Sequence, residues 1–206
     1  MQGREPEQPL PQPAPEPPKP PVGPFEDETG KYDIGADGNA AFTGPVAGSA
    51  SAVTIPDTVN VNGISAPVTK IADNAFKKNK KLKKITVGNN IREIGDNAFA
   101  DCKKLKTVNM GGNVERIGNS AFKGCIALTK ITIGEKVNFI GKKAFYGCSK
   151  LKTVTIRSLL LTKENLGSSA FKKINGKATF KCPKAKKKEY KAILKKKGAP
   201  KGAKYK

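Results

Sequence analysis

From Ile71 onward the chain repeats itself every 23 residues, and no other property of the sequence restricts its fold so severely. Written in steps of that length, it gives columns of like residues: Ile71, Ile94, Ile117, Ile140; Ala75, Ala98, Ala121, Ala144; Phe76, Phe99, Phe122, Phe145; Leu82, Leu105, Leu128, Leu151. Asn79 heads a further column that continues as Cys102, Cys125 and Cys148. From each leucine, LKKITV, LKTVNM, LTKITI and LKTVTI alternate apolar and polar residues with the period of two that marks a half-buried strand. Each repeat is thus one short strand plus a return segment through Ile-Gly and Ala-Phe. Stacked in parallel about 4.8 Å apart, such units form a right-handed coil of rungs with identical positions superposed. One rung buries too little apolar surface to overcome the entropy of ordering it, so stacking must stabilise the whole and both ends need caps.

The sequence supplies candidates for both caps. Val53-Thr54-Ile55 and Val59 imitate a strand and the aliphatic that follows it, but nine extra residues intervene before the next rung. Those extras contain Asn62-Gly63 between VNV and ISAPV, a pair that tolerates positive φ and predicts a hairpin covering the bare edge of the first rung. Residues 31–70 are therefore read as an N-terminal cap and 71–174 as the repeats. At the other end the spacing stretches to 26 between Phe145 and Phe171, and ATFKC supplies a last strand. Pro183 opens a helix with Tyr190, Ile193 and Leu194 inward, closed by Gly198 and Pro200. Residues 175–206 form the capping strand and helix with a basic tail.

Ahead of the caps, QPLPQPAPEPPKPPVGP cannot propagate helix or sheet, because proline fixes φ and removes backbone donors. Residues 1–30 are expected to be a Pro/Glu-rich linker, with MQGREPEQP lacking the apolar core of a secretory signal and no apolar run long enough to span a bilayer. That layout suggests a piece of a longer protein. The linker carries a net −4, so the formal +22 of the chain becomes +26 over residues 31–206. Such a charge attracts polyanions and keeps the domain monomeric.

The pattern IGxxAFxxCxxLxxVxI resembles the BspA-like leucine-rich repeats, also called the Treponema pallidum type, over residues 50–198. The ending KATFKCPKAKKKEYKAILKKKG is similar to that of lysine-rich members from Gram-positive gut anaerobes. The resemblance implies an α/β leucine-rich-repeat solenoid with short parallel strands, an N-terminal β-hairpin cap and a C-terminal helix cap. It also implies an extracellular, wall-associated setting on a bacterium and roles in adhesion, matrix-protein binding and cell contact. Asn79 and Ile174 depart from the cysteine column at the two ends of the array, where repeats commonly diverge.

Catalysis finds no foothold: the chain has no histidine, and the Asp73–Asp96 column continues as Asn119 and Lys142. Cys102, Cys125 and Cys148 stack with parallel Cβ directions, which gives no tetrahedral point for a metal and poor disulfide geometry, so they are expected as buried apolar groups. No cofactor is expected. Cys182 stands in another column and is expected reduced as well, which in a secreted protein fits a low-oxygen habitat. The phenylalanine column is core.

Recognition falls to the lysines. Lys83, Lys106 and Lys152 share a column broken by Thr129; Lys84 and Lys130 alternate with Thr107 and Thr153; Lys81, Lys104 and Lys150 stack beside them, with Lys80 and Lys103 at the edge. Like charges opposite one another on neighbouring strands are unfavourable, and with a screening length of about 8 Å they reinforce a common field. The strip thus suits a polyanion such as a glycosaminoglycan, a teichoic acid or other cell-wall polyanion, a mucin glycan, or an acidic or host matrix protein. The plain alternative is a solvated face copied by duplication. The functional expectation is a non-enzymatic, secreted adhesion or binding module; the alternative is an architectural spacer in a larger surface protein. A nucleic-acid binder ranks lowest, since the strand faces interleave Thr and Asn rather than aromatics among the lysines.

Overall fold

The computed structural model describes residues 18–46 and 51–206, so the linker expectation lies outside the described residues up to residue 17. The repeats wind into a solenoid with a strand on each of two sides of every turn. One side carries β6 (Ile64–Ile71), β8 (Glu93–Ile94), β10 (Arg116–Ile117) and β12 (Phe139–Ile140) in parallel register, Ile71 beside Ile94, Ile94 beside Ile117 and Ile117 beside Ile140. These strands are two residues long wherever Ile-Gly ends them. A Cβ at Gly141 would stand 2.5 Å from the Asn119 nitrogen and 2.6 Å from the Gly118 carbonyl carbon, so only glycine lets successive rungs approach this closely.

The other side carries the predicted strands: β4 (Ala52–Thr54), β7 (Lys84–Thr86) and β9 (Thr107–Asn109) in one parallel sheet, then β11 (Lys130–Ile133), β13 (Thr153–Ile156) and β14 (Thr179–Lys181) in another. Between the two sides Phe76, Phe99, Phe122, Phe145 and Phe171 stack face to face, with centroids 5.0–5.3 Å apart. Leu82, Leu105, Leu128 and Leu151 are fully buried beside them. The cysteines complete this core. Cys102, Cys125 and Cys148 donate to the carbonyls of Phe76, Phe99 and Phe122 at 3.0, 3.1 and 3.0 Å, and all four cysteines are free. Burial pushes the Cys102 and Cys148 thiols up to about 12, and Cys125 upward as well, so the ladder is protonated and inert.

Strand structure begins earlier than the sequence suggests. β1 (Gly23–Glu26), inside the expected linker, pairs antiparallel with β2 (Lys31–Ile34), which pairs with β3 (Ala40–Gly44). Asp27 makes the turn, its Oδ1 accepting the N–H groups of Thr29 and Gly30 at 2.8 and 3.1 Å. β3 then joins β6 in parallel and places Phe42 on Phe76 at 5.3 Å, extending the stack, which Tyr32 ends with an edge-on ring at 85°. The Asn62-Gly63 hairpin forms between β5 (Thr58–Val61) and β6. Its second strand runs on into the Ile-Gly sheet; on the opposite side, β4 pairs with β7.

The C-terminal end closes in the same manner. Phe180 meets Phe171 edge-on at 88°. After Pro183 a 3-10 turn leads into α1 (Lys187–Lys196), which buries Tyr190 and Leu194. The Tyr190 hydroxyl donates to the Ser158 carbonyl at 2.9 Å and accepts from the Leu161 amide at 3.2 Å, fixing the longer loop of the last repeat. The expected basic tail is a strand as well: β15 (Lys204–Tyr205) adds to β14, with Tyr205 beside Phe180.

Candidate binding surface

All ten lysines singled out by their columns are exposed: Lys80, Lys81, Lys83, Lys84, Lys103, Lys104, Lys106, Lys130, Lys150 and Lys152. The strands position them as the columns require. Lys84 sits beside Thr107, Lys130 beside Thr153, and the Lys106 amide donates to the Lys83 carbonyl at 2.8 Å. Thr54, Thr86, Thr132 and Thr155 form a neutral row next to them, broken by Asn109. Among the described residues none of the ten lies in an ion pair.

The strip is interrupted at one place. β9 and β11 are not paired, although every other neighbouring pair along this side is. Val108 and Met110, which align with the buried Ile85 and Val87 and with Ile131 and Ile133, are consequently only half-buried. Two hollows mark this seam, one of ≈ 200 Å³ between Thr107–Asn109 and Lys130–Thr132, the other of ≈ 520 Å³ running from Val108 and Met110 to Lys136 and Arg157. The lysines therefore divide into a group of seven on the first two rungs and a group of three beyond the seam.

The Ile-Gly side is arranged differently. Glu93 Oε1 stands 3.6 Å from Lys70 Nζ and 3.5 Å from Arg116 Nε, Arg92 meets Glu115 at 3.2 Å, and the Arg116 guanidinium lies 3.9 Å above the Phe139 ring. The Asp73–Asp96 column has a structural task. Asp73 accepts the Asp96 amide at 2.8 Å, Asp96 the Asn119 amide at 2.7 Å, and Asn119 the Lys142 amide at 2.8 Å, so each side chain satisfies a turn N–H of the next rung. Among the described residues no group of three His, Cys, Asp or Glu side chains converges as a metal site would require, and no helix is long and apolar enough to cross a membrane.

Column sorting by strand overlooks the turn side. Tyr146 lies there with Lys173 Nζ 5.5 Å and Lys143 Nζ 6.0 Å from its ring, and the hydrogen bond from Lys173 pulls its phenol below the usual value. The signal was present as the one aromatic in the column Lys77, Ala100, Lys123, Tyr146. Ile126 and the Leu159-Leu160 pair are exposed apolar residues, at 42, 53 and 50%. Ser158 holds the leucine loop from inside, donating to the Val137 carbonyl at 2.6 Å and accepting from the Leu160 amide at 3.0 Å.

Compared with known proteins, residues 49–192 match the model of the BspA type leucine rich repeat region in 6 copies. No curated protein matches the sequence. A leucine rich cell surface protein from Faecalibacterium prausnitzii is 25% identical with a TM-score of 0.61, over 77% of this chain and 54% of that one. The chain thus spans about half the length of that structure. The Treponema pallidum leucine rich repeat protein has 24% identity and a TM-score of 0.67, over 77% of this chain and 71% of that one. A leucine-rich repeat protein from Bacteroides capillosus is 31% identical with a TM-score of 0.58, over 65% of this chain and 98% of that one.

Proposed function

The chain belongs to the BspA type leucine-rich repeat family, whose solenoids are binding or scaffold modules, and from that premise we propose that it is a non-enzymatic adhesion module of a bacterial cell surface. Its ligand is polyanionic, and the strand side is the face that receives it. One observation carries the reading: ten exposed lysines gather on that side without an ion pair among the described residues, while Glu93 and Glu115 of the same repeats pair with cations on the Ile-Gly side. Lysines of one column on adjacent rungs stand about 5 Å apart at the backbone, well within the screening length, so their fields add over the strip. The cell-surface setting is supported by the likeness to the Faecalibacterium prausnitzii cell surface protein and by the basic surface, which suits wall polymers and host glycans.

The test is binding of the full chain to heparin, teichoic acid and fibronectin across a salt series, beside a variant with Lys83→Gln, Lys106→Gln and Lys152→Gln. Saturable binding at physiological salt that the variant loses is the expected result. Binding confined to low salt and indifferent to the substitutions would leave the chain a spacer within a larger surface protein and its lysines a solvated face.

A further inference from the structure

Resting on that reading, we infer that the hollow between the first two rungs, lined by Lys78, Lys80, Lys103, Lys104 and Asp101, seats one acidic sugar residue, with the lysines holding its carboxylate or sulfate and Asp101 accepting a neighbouring hydroxyl. The hollow measures ≈ 510 Å³, within the range of small-ligand sites. Its walls are anchored by the backbone rather than by loops of their own. Lys78 donates to the Ala100 carbonyl at 2.7 Å, Asp101 to that of Lys123 at 2.7 Å, and the Lys103 amide to the Asp101 carbonyl at 2.8 Å. Lys78 and Asp101 both stand at φ 60, the left-handed turn position of their rungs.

Duplication alone does not account for this cluster. The column of Lys78 and Asp101 continues as Gly124 and Gly147, that of Lys80 and Lys103 as Ile126 and Ser149, and that of Lys81 and Lys104 as Ala127 before lysine returns at Lys150. The third rung thus carries no charge at any of these positions and exposes Ile126 instead. Asp101 is the informative residue. Its Oδ1 lies 2.2 Å from the place a Cβ on Gly124 would occupy, so the carboxylate rests over the bare glycine of the next rung. No lysine pairs with it among the described residues.

A carboxylate lining the same hollow as four lysines weakens the attraction for a simple anion, and it contributes only where the ligand also brings a hydroxyl donor. An acidic sugar carries both on one ring. Its C–H face suits walls made of lysine stems. An acidic peptide supplies carboxylates without adjoining hydroxyls, and Asp101 would only oppose it.

The sign of one substitution decides the matter. Asp101→Gly copies the residue of the next two rungs, so the φ of 60 is met without strain while the pocket gains a unit of positive charge. Calorimetric titration of the full chain with a chondroitin sulfate tetrasaccharide at near-physiological salt should show this variant binding about tenfold more weakly. A paired Lys78→Gln and Lys103→Gln variant should weaken binding by a similar factor, with unchanged unfolding midpoints confirming that both variants fold. Tighter binding by Asp101→Gly, an indifferent lysine pair, or a polyglutamate of equal charge binding as well as the sugar would each overturn the inference. If the Lys83, Lys106 and Lys152 variant loses tetrasaccharide binding while the pocket variants keep it, the broader reading stands and the pocket falls. If neither the sugar nor heparin binds, both fall.

Discussion

The two strand-bearing sides of the solenoid are products of the same 23-residue unit, yet they treat charge and backbone in opposite ways. On the Ile-Gly side, the column Lys70, Glu93, Arg116, Phe139 alternates sign and then ends on an aromatic face that the last cation covers. The ladder there is unbroken from β3 to β12. On the lysine side no carboxylate enters the columns, and the ladder is cut between β9 and β11. Every copy of the repeat had the same opportunity to place a Glu on either side. The repeat acids that form ion pairs, Glu93 and Glu115, fall on the Ile-Gly side, and the like charges of the lysine columns have no such partners among the described residues. One side satisfies its charges internally; the other leaves them to solvent or, on the proposed reading, to a ligand.

The seam makes this contrast breakable. Across it, the second and third rungs are joined by the Ile-Gly ladder, by turn bonds such as the Phe99 amide to the Ala121 carbonyl at 2.7 Å, and by the Phe99–Phe122 contact of 5.0 Å, without strand bonds on the lysine side. Phe122→Ala should therefore cost about 3–5 kcal/mol in denaturant unfolding, and should uncouple the two halves into separate transitions. Native-state hydrogen exchange adds a finer reading. In a parallel ladder alternate residues face opposite neighbours. Thr129 and Ile133 carbonyls serve the β13 side, so the amides of Lys130 and Thr132 face the seam and should exchange well before that of Arg116, which donates to Arg92. Equal protection on both sides would mean that the strand side is closed in solution, and the contrast in backbone would be lost.

The repeats were legible because their period is written in side-chain identity: Phe, Leu, Cys and Ile fall into columns only if the rungs stack. The additions to the ends were harder for a physical reason. Phe42 joins the stack 34 residues before Phe76, a spacing set by the β1–β3 meander and not by the rung, so no column contains it. Tyr205 repeats Phe180 across α1, and the signal is the short match of ATFK with AKYK. The seam is weaker still in the sequence, since Val108, Asn109 and Met110 keep the alternation of the other strands and the missing bonds belong to the backbone. Of the candidate surface, the columns placed ten exposed lysines but neither Lys78 nor Asp101, which share a left-handed turn conformation that strand sorting ignores.

Two glycines test how tightly each side is closed. An alanine at Gly141 would push its Cβ to 2.5 Å from Asn119 and 2.6 Å from Gly118 backbone atoms, while one at Gly134 meets nothing within 4 Å. Gly141→Ala should lose about 2 kcal/mol through strain among packed backbones. Gly134→Ala, beside the seam, should be neutral or gain about 0.5 kcal/mol from a stiffer unfolded chain. The measurement is the thermal midpoint of each variant. Similar losses would show that both sides are packed alike.

The smallest effect addresses charge alone. Lys106→Glu places a carboxylate between Lys83 and the seam, creating on the lysine side the alternation that Glu93 provides between Lys70 and Arg116. Exposed pairs of this kind contribute about 0.2–1 kcal/mol, so Lys106→Glu should stabilise the fold by a few tenths of that scale and Glu93→Gln should destabilise it by a similar amount. Both shifts should shrink as salt rises, because the side chains are solvent-exposed. Polyanion binding should fall in Lys106→Glu while stability rises, and that opposition is the point of the experiment. A gain in stability with unchanged binding would mean that the strip's repulsion is real but serves no ligand, whereas no gain at all would mean that the lysines already splay far enough apart to be indifferent to one another.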